Sequence, residues 1–138
     1  MKIYVLSYLA AGIVMLGIDA VWLGVMGSAF YRPMLGDMLQ EKFSPAPAAI
    51  FYLLYVAGIV IFGVTPAFES GRWTTALTHG ALLGFFAYAT YDLTNQATLR
   101  HWPTLVTIVD LSWGTTLTGV SATLGYLIAR TVAGWLGE

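Results

Sequence analysis

The chain has 138 residues, of which 58% are hydrophobic and only 9% charged, with a net charge of −1 and no cysteine. An ordinary soluble domain carries about 25% charged residues, so a chain this poor in charge could not cover a water-facing surface, and its mean hydropathy of +0.75 points to a bilayer as solvent. The balanced charge excludes the basic footprint of a nucleic-acid binder, and the missing cysteines exclude disulfides, thiolate nucleophiles and cysteine-ligated metals.

Taken in order, the first segment follows Lys2 and runs over residues 3–27. It is longer than the roughly 7–15-residue apolar core of a signal peptide and lacks a small-x-small cleavage site, so it is expected to be a retained transmembrane helix. The connector "YRPMLGDMLQEKFSPAP" places Met34, Leu35, Met38 and Leu39 at helical spacing among polar residues, with Pro33 at a first-turn position. That pattern predicts a short amphipathic helix in the membrane interface over residues 33–42. Three further segments, 48–67, 73–99 and 103–135, are long enough to span, which takes roughly 20 mostly apolar residues. "SPAPAA", "PAFESGR" and "RHWP" punctuate them, and Pro103 suits a first helical turn. Without the short alternating strands of a barrel, the expected fold is an all-α integral membrane four-helix bundle with an interfacial helix after the first span. The six basic residues divide evenly between the two faces, with Lys2, Arg72 and Arg130 on one and Arg32, Lys42 and Arg100 on the other. Both termini are expected on the same side, with the cytoplasm the preferred assignment despite this tie.

Asp19, Asp92 and Asp110 lie inside the expected spans. Counting through alternating crossings, each sits roughly 10–13 Å from the same face, at 1.5 Å per residue. Trp22 follows Asp19 by three residues and Trp113 follows Asp110 by three; Asp92 has Tyr88 four residues before and Asn95 three after. Such spacings share a helix face. With Tyr91, Tyr31 and Arg32 nearby, they predict a polar pocket partly covered by the interfacial segment. Gly24, Gly27, Gly114 and Gly119 are expected to let the helices approach closely. Tyr52 and Tyr55 fit the pocket or plain helix packing equally well.

Intramembrane carboxylates are functional by default. They call for a proton, a cation or a basic partner, and Arg32 and Arg100 are the arginines near enough to serve. A hard divalent cation held by Asp19, Asp92 and Asp110 fits oxygen-ligand chemistry, although no motif implies a cofactor. His79 is expected to bond to a backbone or hydroxyl group, and His101 to be solvated. Tyr4, Tyr8, Trp73, Trp102, Tyr126 and Trp135 read as interfacial anchors. Two histidines without cysteine make no zinc motif. The first and third segments each carry an aspartate near the same end, which suggests a weak two-helix repeat.

The segments "GIDAVWLG", "FYRPMLG", "YDLTNQATLRHWP" and "VDLSWGTTLTG" resemble a family of small bacterial predicted membrane proteins known only as a domain of unknown function. The resemblance covers nearly the whole chain and implies a multi-pass protein of the bacterial inner membrane, with no activity attached. Its pattern falls here on Asp19, Trp22, Tyr31, Pro33, Tyr91, Asp92, Asn95, Asp110 and Trp113. The favoured function is an intramembrane pocket that binds, or translocates, a cation, proton or small polar ligand, with the bilayer as partner and a homo-oligomer where a pathway is needed. Two readings stand beside it. One is a membrane-embedded enzyme modifying a lipid or isoprenoid, with an aspartate as general base. The other is a structural subunit of a membrane complex.

Overall fold

The computed structural model describes residues 1–137. Within them the chain folds into four helical runs: α1 (Lys2–Met38), α2 (Pro45–Ser70), α3 (Trp73–Thr98) and α4 (Thr104–Trp135). Each segment read from the sequence as a span is helical. The short helix after the first span is present but differs from its expected form. It is continuous with α1 through a π-helical turn at Gly27–Tyr31, followed by one α-helical turn at Arg32–Leu35 and a 3-10 turn at Gly36–Met38. Leu39 is already extended, so residues 39–42 fall outside it. The break follows from Gly36, whose positive φ of 53° stops the α-helix.

A second π turn, Val60–Val64, interrupts α2. It leaves backbone carbonyls without their usual partners. The Thr65 hydroxyl donates to the Val60 carbonyl at 2.9 Å, and His79 Nδ1 lies 3.3 Å from the Phe62 carbonyl. His79 therefore serves the backbone.

α3 and α4 form the most extensive pair, and α1 packs on the other side of α4. The closeness of α3 and α4 comes from small residues. A Cβ at Gly84 would collide with the Gly114 carbonyl and the Thr118 side chain, and one at Gly114 would enter the Tyr88 ring. Gly24 and Gly27, expected to do the same for α1, have no neighbour within 4 Å of a hypothetical Cβ. Gly27 borders a cavity instead, and Gly24 is exposed. At the α3–α4 connection, Trp102 Nε1 donates to Thr107 Oγ1 at 3.0 Å, Thr107 donates to Gln96 Oε1 at 2.8 Å, and Gln96 Nε2 donates to Thr104 Oγ1 at 3.0 Å. This clip seats Trp102 against α4.

The core is narrow and apolar, centred on Met15, Ile59, Val64, Leu117 and Tyr126. Large hydrophobic side chains also cover the outside: Ile13 is 71% exposed, Leu54 69% and Phe86 63%. A water-facing surface rarely carries so much contiguous apolar area. Among the described residues, α1 and α2 are long and apolar enough to cross a membrane by length and composition. The chain ends share one end of the bundle, where Met1 and Ile3 line a shallow cleft with Arg130 and Ala133.

Candidate functional site

Toward the opposite end of the bundle the helices splay. α3 packs against the π turn of α2 rather than along the N-terminal half of that helix. The space left open becomes a cavity of about 570 Å³. Asp19, Trp22, Tyr31 and Arg32 from α1 line it, with Tyr88 and Tyr91 from α3 and Asp110 and Trp113 from α4. These eight were all read from the sequence. Phe51 and Tyr52 of α2 and Trp102 of the α3–α4 connection complete the aromatic wall.

The hydrogen bonds cross between helices. Asp19 is buried and accepts from Tyr52 Oη at 2.5 Å and from Trp113 Nε1 at 3.1 Å. Asp110 accepts from the Tyr31 hydroxyl. Tyr31 in turn accepts from Trp22 Nε1 at 3.2 Å. Trp113 therefore bonds to the aspartate of α1 rather than to Asp110, and Trp22 bonds to Tyr31, the donor to Asp110, rather than to Asp19. Sequence spacing places such pairs on one face, but a side chain that leans back along its own helix (the usual helical rotamers) need not bond to its neighbour there. The π turn supports this arrangement, because Tyr31 at its end is the residue that reaches Asp110.

Asp92 differs from both. It is fully buried, and neither carboxyl oxygen has a hydrogen-bond donor. Its neighbour is the carboxyl of Asp110. Asp92 does not line the cavity; it stands behind Asp110, which does. Asn95 also lies outside the lining, half-buried beside Tyr91. Among the described residues, neither Arg32 nor Arg100 pairs with any of the three aspartates. Nor, among those residues, does any group of three or more His, Cys, Asp or Glu side chains take an arrangement that could hold a metal ion. Asp19 and Asp110 line the same cavity, but among the described residues the triple-carboxylate cation site considered from the sequence is not assembled.

A smaller, mostly apolar cavity of about 300 Å³ adjoins the first, lined by Phe51, Tyr55, Ala87, Tyr88, Tyr91 and Asp110. The two share Phe51, Tyr88, Tyr91 and Asp110. Tyr52 and Tyr55 thus both face cavities, and Tyr55 also shares a 2.7 Å hydrogen bond with the Thr118 hydroxyl. The sequence signal that marks them is their three-residue spacing on α2, which packing alone produces equally well.

Residues 4–127 fit the family model described as Predicted membrane protein (DUF2177). No curated protein and no solved structure matches the chain. With the match covering most of the sequence, the chain belongs to this family of predicted membrane proteins of unknown function.

Proposed function

We propose that the protein is a multi-pass inner-membrane protein whose larger cavity binds a small ligand bearing an ammonium group. The four helices are read as spans, with both termini on one side and the cavity opening toward the other. The observation that carries the reading is the Asp92–Asp110 pair, in which a fully buried carboxyl without any donor stands against a second carboxyl that faces the cavity. Two neighbouring carboxylates in low dielectric repel one another. The arrangement is completed by a shared proton when the cavity is empty and by a cationic group when it is filled. The surrounding aromatic faces favour an organic cation over a strongly hydrated ion.

The cavity supports binding rather than passage. Toward the end that carries the termini it is followed by Met15, Ile59 and Leu117, all fully buried and apolar. This packed floor, in which the buried Thr118 and Ser121 hydroxyls also sit, favours binding over passage.

Trp22, Trp113 and Trp102 line the cavity and make it self-reporting. Tryptophan fluorescence of the detergent-solubilised protein, titrated with ethylammonium chloride, is expected to change saturably. Sodium chloride and ethanol at equal concentration are expected to leave it unchanged. Asp110→Asn is expected to abolish the ethylammonium response. An equal response to sodium, or a response retained in Asp110→Asn, would count against the reading.

A further inference from the structure

The two adjoining cavities differ in character. The larger carries the charged and hydrogen-bonding groups, including Arg32 on the side of α1 and Asp110 on the side of α4. The smaller is a mostly apolar arm between α2 and α3. Asp110 stands at their junction, since it lines both. The arm is not enclosed: Phe51, 45% exposed, and Tyr91, 58% exposed, form its rim. The splay of α2 from α3 above the Val60–Val64 turn leaves this opening. A ligand entering here would come from the hydrocarbon, not from water.

Resting on the ammonium reading above, we infer that the occupant is a bilayer phospholipid with an ammonium head group, entering between α2 and α3. Its ammonium stands at Asp110 with Asp92 behind, its phosphate faces Arg32, and an acyl chain lies along the apolar arm. Each part meets a complementary surface. Arg32 has no ion pair among the described residues and offers a guanidinium to an anion. Asp92 is unpartnered and fully buried next to the carboxyl that receives the ammonium. The aromatic walls accept methylenes along Phe51, Tyr55 and Tyr88. A free ammonium compound would use the first of these surfaces and leave the other two unfilled.

The test is native mass spectrometry of the whole chain in a nonionic detergent. The probes are phosphatidylethanolamine and phosphatidylglycerol with identical acyl chains, and phosphoethanolamine without chains. Phosphatidylethanolamine is expected to bind more tightly than phosphatidylglycerol by about tenfold, the scale of one charge-assisted contact. Asp110→Asn should bring that ratio close to one. Arg32→Gln, a change at an exposed side chain, should weaken both lipids, and Phe51→Ala should weaken both while sparing the ratio. Equal binding of the two lipids, with ethylammonium still bound, overturns the phospholipid inference and leaves the ammonium site standing. Phosphoethanolamine binding as tightly as the phospholipid overturns it in favour of a water-borne ligand. Loss of selectivity together with no ethylammonium response overturns both readings.

Discussion

The indole rings of Trp22 and Trp113 stack with centroids 4.1 Å apart and planes 5° from parallel, joining α1 to α4 at the wall of the cavity. Because Trp113 bonds to Asp19 and Trp22 to Tyr31, the stack ties two carboxylate sites into one unit. Deleting either indole N–H while keeping a ring separates stacking from hydrogen bonding. Trp113→Phe is expected to lower stability by about 1–3 kcal/mol, the cost of leaving a buried acceptor short of a donor. Trp22→Phe should cost less, because Tyr31 keeps its bond to Asp110. Melting curves in one detergent would compare the two, and equal losses would contradict the asymmetry. The double variant should be non-additive, since contacting residues couple by about 0.5–3 kcal/mol.

Asp92→Asn is expected to keep or raise the melting temperature. Were Asp92 held by an arginine, the change would strand a buried charge and cost roughly 3–5 kcal/mol. Among the described residues no arginine pairs with it, and an asparagine amide can donate to Asp110 where a carboxylate cannot. The same variant should weaken ethylammonium binding, because it removes one of the two charges that await a cation. A clear fall in melting temperature would show that the carboxyl has a stabilising partner.

Glycine substitutions should divide by helix. Gly84→Ala drives a methyl group into the Gly114 carbonyl and Thr118, and no flexible side chain can yield there. Overpacking of this kind costs about 1–3 kcal/mol or more. Gly24→Ala meets nothing within 4 Å and should stabilise α1 by up to about 1 kcal/mol through helix propensity. Thermal denaturation of the two variants checks the contrast. Comparable losses would mean that α1 is packed at Gly24 against something the isolated chain does not contain.

Topology can be read by labelling. The chain has no native cysteine, so single cysteines introduced at exposed Ser70 and Trp135 report one end of the bundle and those at Phe43 and His101 the other. A membrane-impermeant maleimide applied to intact cells should label one pair and spare the other. Labelling of Ser70→Cys and Phe43→Cys from the same side would refute four spans.

Much of this molecule was legible in the sequence because lipid leaves few choices. Every backbone group must find an internal partner in hydrocarbon, so long apolar runs broken at "SPAPAA", "PAFESGR" and "RHWP" can only be helices. The placement of Asp19, Asp92 and Asp110 toward one end followed from helix rise alone. What rise and periodicity do not contain is the direction of a side chain across a gap between helices. Tertiary structure decided that Trp113 bonds to Asp19 and Trp22 to Tyr31, and that Asp19 is satisfied while Asp92 is not. It also decided that, among the described residues, no arginine closes the network. The π turns at Gly27–Tyr31 and Val60–Val64 were equally hidden, since one extra residue in a helical turn leaves no mark in an apolar pattern. Yet the first carries Tyr31 to Asp110, and beyond the second α2 stands apart from α3. The sequence by itself determined four helices and their polar end; only the packing of those helices made that end a cavity with a side entrance.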